Sequence, residues 1–340
     1  MRALFIGGTG VISTAISRLA IKKGWDLYLL NRGNKPDFVA EGAKILQADI
    51  QDTLKVSNLI RELQFDVVVD FIVLVPEQIE RDIELFSGKT KQYIFISSAS
   101  AYQKPLPHYQ ISESTALANP YWEYSRNKIA CEERLMYEYR KNGFPATIVR
   151  PSHTYNETSI PLAIYGKKGR WQVIDRILKG KPVLIHGDGT SIWTVTHSSD
   201  FAKAFCEIMA NPAAIAEAIH ITSDEALTWN QIYDRIGDAL NVRVKKFHVA
   251  SDFLIACNPY FEGTLAGDKS NSVIFDNSKI KRLVPDYVPT VRFDQGARIS
   301  MNYMLSHPEV QIPDEEFDKF CDRVIEVQEK AIAQFRQENG

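Results

Sequence analysis

Little in this sequence points to a metal centre, a disulfide framework or a nucleic-acid surface. Its 340 residues hold four cysteines, Cys131, Cys206, Cys257 and Cys321, which lie far apart and lack the paired spacing of a metal site. Scattered cysteines of this kind read as reduced thiols, so a cytoplasmic setting with no metal is expected. A basic excess is missing as well: 40 Lys and Arg against 42 Asp and Glu give a formal net charge of −2. No global positive field is therefore available to hold nucleic acid, and such a partner is not expected. Long apolar runs are also absent. The stretch from Val67 to Val75 is interrupted by Asp70 and is too short to span a bilayer, so no membrane partner is expected. The N-terminus enters a strand-like segment at once, without the charged region, apolar region and cleavage site of a secretory leader.

What is present is apolar material, 45% of the chain, enough for one large domain or two unequal ones. Short apolar runs of buried-strand type occur at Ala3–Ile6, Asp26–Leu30, Ala43–Leu46, Asp66–Val69, Tyr93–Ile96 and Thr147–Val149. Between the first two, Ile12, Ala15, Ile16, Leu19 and Ala20 follow the spacing of a helix with one apolar face. Strands alternating with helices predict an α/β fold of Rossmann type, a doubly wound parallel sheet covered on both faces. After Arg150-Pro151 the chain becomes loop-rich, with Pro161, Gly166 and Gly169. Ile192–His197 and His220–Thr222 again read as strands that rejoin the first sheet, with a helix over Phe201–Met209 between them. A late amphipathic helix carries Phe317, Phe320, Val324 and Val327 on one side. The expected division is residues 1–153 with 192–222 for the sheet domain, and 154–191 with 223–340 for a smaller substrate lobe over the sheet's carboxyl edge.

Residues 7 to 13 read Gly7-Gly8-Thr9-Gly10-Val11-Ile12-Ser13, directly between the first strand and the first helix. Gly7 permits a tight turn and Gly10 leaves room for a pyrophosphate against the backbone. The helix N-terminus then supplies free N–H groups and a positive dipole end. In this strand–turn–helix context Gly7, Thr9, Gly10, Val11 and Ile12 are read as a dinucleotide-binding turn. Ser13 stands at the position of a third glycine and keeps the packing small, if slightly looser. The end of the second strand decides the cofactor's 2′ position, where an acidic residue would bind the ribose hydroxyl of NAD. Asn31-Arg32-Gly33 occupies it instead. Arg32 suits the 2′-phosphate of NADP, which is favoured slightly over NAD; an exposed loop arginine is the alternative. Asp49-Ile50 is read as a neighbour of the adenine ring, or Asp49 as a helix cap.

Tyr124 and Lys128 are four residues apart, which puts both on one face of a helix that Cys131 and Leu135 continue inward. A phenol titrates near 10 in water, roughly three units too high for a good base at neutral pH. An ammonium beside it favours the phenolate and brings it into working range. Upstream, Tyr93-Ile94-Phe95-Ile96-Ser97-Ser98 ends a strand in paired serines. Ser98 is placed to hydrogen-bond the substrate oxygen that gains or loses a proton.

The glycine turn, Ser98, and Tyr124 with Lys128, in that order and spacing, resemble the short-chain dehydrogenase/reductase superfamily, and within it the extended branch of NAD-dependent sugar epimerases and dehydratases. Ser97 to Tyr102, Arg150-Pro151, His186 to Thr190 and Thr196 to Asp200 resemble further segments of that branch. The resemblance implies that Tyr124 is the acid/base, that Lys128 lowers its pKa and binds the nicotinamide ribose, and that Ser98 orients the reacting hydroxyl. It places the backbone around Pro151 to His153 near the carboxamide, and implies a homodimer through the Tyr124 helix.

Three departures narrow the expectation. Dehydratases of the branch carry an Asp-Glu pair after the catalytic serine, and here Ala99 and Ser100 stand there. Elimination of water then lacks its acid and base, whereas epimerisation or carbonyl reduction needs only Ser98, Tyr124 and the cofactor. Second, Trp193 follows Gly-Asp-Gly where the family often has a diphosphate-gripping arginine; it either stacks on a ring or packs the core. Arg170 or Lys167-Lys168 would substitute, unless they form a solvated loop. Third, Asn31 to Gly33 and Ser13 suit atypical relatives, among them a chloroplast stem-loop RNA-binding group. Glu113 reads as an exposed loop carboxylate, His153 as structural, and Tyr121-Trp122 as pocket lining or a helix anchor. The expected function is an NAD(P)-dependent epimerase or reductase acting at a hydroxyl/ketone carbon of a sugar or nucleotide-sugar-like small molecule. A non-catalytic NAD(P)-sensing or RNA-binding protein is the rival.

Overall fold

The computed structural model describes residues 1–339, which divide into two compact units. Unit 1 comprises Met1–Asn156, Thr194–Ala226 and Val273–Arg292. Its strands β1 (Arg2–Ile6), β2 (Asp26–Asn31), β3 (Lys44–Gln47), β4 (Val67–Asp70) and β5 (Tyr93–Ile96) are joined in one parallel sheet by strands Ala146–Pro151 and Ala218–Ile221. The order across this seven-stranded sheet is Ala218–Ile221, Ala146–Pro151, β5, β4, β1, β2, β3. Chain direction through the sheet reverses between β1 and β4, which makes that gap the topological switch point.

The strands read as nearly continuous apolar runs because both faces are covered. On one face Ala3, Phe5, Leu27, Leu29, Val67 and Val69 pack with Ile16 and Ala20 of α1 (Val11–Lys22) and with Phe201 and Phe205 of helix Ser198–Ile208. On the other, Leu4, Ile6, Val68, Tyr93 and Phe95 meet Val56 of α2 (Thr53–Leu59), Ile79, Ile83 and Phe86 of α3 (Pro76–Phe86), and Cys131 and Leu135 of α4 (Glu123–Asn142). Each strand's alternate residues feed opposite cores. The exception is β3, read from sequence as a buried strand but mostly exposed as the sheet's edge. An apolar run cannot by itself distinguish an edge strand from a central one.

Strand Ile192–His197 does not rejoin the main sheet as expected. Its Val195, Thr196 and His197 pair in parallel with His153, Thr154 and Tyr155. Pro151, which has no N–H to extend a ladder, closes the preceding main-sheet strand. The segment Val273–Arg292, read as part of the second lobe, packs in unit 1. There Ile280, Val284 and Tyr287 enter the α1-side core, and Ile274–Phe275 pairs with Gln110–Ile111.

Unit 2 comprises Glu157–Trp193, Leu227–Ser272 and Phe293–Gly340. It contains a parallel pair, Val183–His186 with Lys246–Val249, and helices including Trp171–Leu178, Trp229–Leu240 and Phe293–Ser306. Its last helix, Glu315–Asn339, buries Phe317, Cys321, Val324 and Ile325, while Val327 is 46% exposed, so the buried face turns away from the expected 317–327 line. Trp193 is core: it is buried and stacks on Trp229 at 6.4 Å between ring centres. The Arg170 guanidinium lies 4.6 Å above the Tyr165 ring, whereas Lys167 and Lys168 are exposed.

Candidate active site

The site grows from the carboxyl ends of β1 to β5, which lie along one edge of the parallel sheet of unit 1. After β1, Gly7 takes φ +81°, and a Cβ there would meet Ile72 Cγ2 at 2.4 Å. Glycine is required on both counts. Ser13 does more than keep the packing small. Its buried hydroxyl donates to Gly7 O at 2.9 Å and accepts from Gly10 N at 2.8 Å, closing the turn on itself. Ser17 adds a bond to Gly8 O at 3.3 Å. Gly10 is the exposed N-cap of α1, and a Cβ there would meet only Ser13 Oγ, at 3.4 Å. The first turn of α1 has no acidic residue, so the N–H groups around Val11 and Ile12 present an unopposed positive end. This cradle fits a pyrophosphate.

At the end of β2, Asn31 Oδ1 accepts from Gly33 N at 3.0 Å, forming the turn that carries Arg32. The Arg32 side chain is 69% exposed, with Nη1 3.9 Å from Asp49 Oδ2. Asp49 is not the helix cap: it accepts from Gln51 N, and Asp52 caps α2 through Lys55 N. Ile50 is buried in the core with Val56, so of the Asp49-Ile50 pair only Asp49 offers its side chain to a ligand.

At the other end of the site Lys128 is buried. Its Nζ donates to the carbonyls of Val73 and Ile96, at 2.5 and 2.8 Å, tying the loop after β4 to the end of β5. It lies 5.6 Å from the Tyr124 ring centre and 4.8 Å from that of Phe95. Burial pulls the Lys128 ammonium down to about 8. Tyr124, half-buried in the first turn of α4, packs against Trp122, with ring centres 5.0 Å apart. Trp122 thus anchors the helix start, and Tyr121 is exposed. Ser98, at the end of β5, is linked to α4 by hydroxyls: Ser125 Oγ donates to Ser100 Oγ at 2.7 Å, and Ser100 Oγ lies 2.8 Å from Ser98 Oγ. Ser98, Tyr124 and Lys128 are therefore brought into one neighbourhood. Pro151 ends its strand one residue before Ser152, whose hydroxyl lies 3.1 Å from that of Thr196, and His153 begins the next strand.

Two buried charged networks brace this edge, and sequence reading missed both. In the first, Arg150 Nε and Nη2 donate to the Glu132 carboxylate, which also accepts from Ser97 Oγ. The same guanidinium lies 4.9 Å over the Tyr102 ring. Burial opposes the Arg150 charge, and Glu132 and Tyr102 together more than compensate, raising its pKa. Glu113 joins this network. Its side chain is only 6% exposed and accepts from His220 N at 3.2 Å, which corrects the expectation of an exposed loop carboxylate. In the second, Asp70 Oδ1 accepts from Ile72 N and Val73 N, and Arg81 bridges Asp70 and Asp82. Tyr93 Oη donates to Asp82 at 2.6 Å. Burial, with the Asp82 carboxylate alongside, holds Asp70 well above the usual carboxylate range. The i,i+4 spacing of Lys128 and Glu132 on one helix face was the one sequence signal for the first network.

Comparison with known proteins agrees with this architecture. The chain is 23% identical over 288 residues to the 2′-dehydrokanamycin reductase of Streptomyces kanamyceticus, covering 84% of this chain and 80% of the relative. It is 29% identical over 244 residues to the chloroplast stem-loop binding protein of 41 kDa b of Arabidopsis thaliana, covering 67% of this chain and 60% of that relative's length. Among solved structures, the dTDP-glucose 4,6-dehydratase of Bacillus anthracis in complex with NAD superposes with a TM-score of 0.73 at 18% identity, covering 91% of this chain and 98% of that one. Among the described residues, no helix is long and apolar enough to cross a membrane. The family described as NAD dependent epimerase/dehydratase matches residues 3–222. The chain belongs to that family of short-chain dehydrogenase/reductase enzymes.

Proposed function

We propose that the protein is an NAD(P)-dependent epimerase or reductase acting at a hydroxyl/ketone carbon of a sugar or nucleotide-sugar-like small molecule. The observation that carries this reading is the joining of Ser98, Tyr124 and Lys128 at the carboxyl edge of the sheet whose β1 turn has the room and the free N–H groups that a pyrophosphate needs. When bound, the dinucleotide supplies the hydride acceptor and donor. The chain's own residues do the rest. The Gly7–Ile12 backbone holds the pyrophosphate, and Arg32 holds the 2′-phosphate if NADP is used. Tyr124 Oη takes or returns the proton of the reacting hydroxyl. Lys128, positively charged below about pH 8, favours the phenolate, and Ser98 hydrogen-bonds the same oxygen.

Dehydration is a poorer reading. Ala99 and Ser100 carry no carboxylate, and the nearby buried acids Glu132 and Glu113 are committed to Arg150 and to the His220 backbone. The relative named as a 2′-dehydrokanamycin reductase supports reduction of a sugar-derived ketone. The relative named as a stem-loop binding protein favours the rival reading, RNA binding without turnover. A homodimer through α4 and a cytoplasmic setting belong to the same proposal.

Native mass spectrometry of the purified protein tests it, followed by incubation with a panel of nucleotide sugars and amino sugars while nicotinamide absorbance is followed. A carried or readily bound dinucleotide whose redox state responds to one of these sugars is expected. Salt-sensitive RNA binding with no sugar response would overturn it.

A further inference from the structure

The proton order along Ser125, Ser100 and Ser98 follows from counting donors and acceptors. Ser125 Oγ donates to Ser100 Oγ. Ser98 Oγ accepts from Ser100 N at 3.1 Å and lies 2.8 Å from Ser100 Oγ. Ser100 is 4% exposed and Ser125 fully buried, whereas Ser98 is only half-buried. A hydroxyl gives one hydrogen bond and accepts two. If Ser98 donated to Ser100, Ser100 Oγ would receive two bonds and leave its own proton without an acceptor in a buried place, which native structures avoid. In the opposite order every buried proton is accepted. Ser98 Oγ then receives two bonds, both from Ser100, and its lone pairs are filled.

We infer that Ser100 and Ser125 are positioning residues that make Ser98 an obligate hydrogen-bond donor to the reacting oxygen. That Ser98 faces substrate rests on the function proposed above; the direction of the chain does not. An obligate donor favours an oxygen gaining negative charge and cannot accept a hydroxyl proton, so Tyr124 Oη is left as the acceptor. Each hydroxyl that accepts a bond also donates more strongly, so the line from α4 sharpens the Ser98 donor. This gives Ser100 a role at the position where the sequence shows only a missing carboxylate.

Neutron diffraction from deuterium-exchanged crystals reads the order directly, with or without an identified substrate. The Ser125 deuteron should point at Ser100 Oγ and the Ser100 deuteron at Ser98 Oγ, with the Ser98 deuteron directed away from both. A Ser98 deuteron lying on Ser100 Oγ overturns the inference. With any sugar that turns over, Ser100→Ala should lower kcat about tenfold with KM within about twofold, a smaller loss than removing the donor itself. Ser125→Ala should give a weaker effect of the same kind, and Ser100→Thr should restore most of the rate. An unchanged kcat in Ser100→Ala, or no rescue by threonine, contradicts the positioning role. If the deuterons follow the derived order but Tyr124→Phe keeps full turnover, the proposed function fails while the proton order stands.

Discussion

At one end of the candidate site Lys128 is 3% exposed and gives hydrogen bonds to two main-chain carbonyls; at the other the Arg32 side chain is 69% exposed, with an acid 3.9 Å away. Both are single cations that the proposed function assigns to the cofactor site, but their surroundings differ. Around Lys128 water is displaced, so charge interactions there are strong and shift titration. Around Arg32 solvent and salt screen the charge, so it adjusts affinity by small amounts. Under the proposed function, chemistry is held by the buried end, while cofactor choice rests on an exposed residue that can be changed without disturbing the fold.

The buried end breaks first when its supports are removed. Glu132→Gln leaves Arg150 charged without its buried partner, and such losses cost about 3–5 kcal/mol. Urea unfolding should show a midpoint shift of that size, and the double variant Glu132→Leu/Arg150→Met should recover much of it, since no buried charge is then left alone. A double variant no more stable than the single would contradict the account.

The pH profile should separate the two ends more finely. Lys128 is charged below about pH 8 and neutral above it, so support for the phenolate falls away as pH rises through that value. The rate profile should carry a descending limb near pH 8 that Lys128→Met lacks. Stability moves the opposite way: burying the charged form costs stability at lower pH, and that cost fades as pH climbs from 8 towards the ordinary lysine value. The smallest effect belongs to the exposed end. Arg32→Ala should weaken NADP binding about three- to tenfold and change NAD binding by less than about twofold, measured by titration calorimetry. Equal losses for both dinucleotides would show that Arg32 does not read the 2′ position.

Much of unit 1 was legible because its signals are local. The β1 run, the glycine turn and the α1 face are consecutive in sequence, and Tyr93–Ile96 coincides with its expected bounds. The turn's closure by Ser13 was not legible, since a small residue signals only size. The networks of Glu132 with Arg150 and of Asp70 with Arg81 and Asp82 were missed for another reason. Charged residues read as surface until a partner from elsewhere in the chain is brought beside them. Glu113 was misread on the same ground, its partner His220 lying 107 residues away. The edge position of β3 and the exposure of Val327 depend on what covers them, which periodicity does not encode.

The central claim is that Tyr124 moves the proton at a site pre-arranged by Lys128 and Ser98. Single-turnover measurement of bound dinucleotide with a responsive sugar tests it most directly in Tyr124→Phe, which removes only the phenolic oxygen. Loss of a positioned acid/base costs about 10²- to 10⁴-fold, and a fall in that range with dinucleotide binding intact is the predicted result. A Tyr124→Phe enzyme turning over within about twofold of the parent would contradict the account.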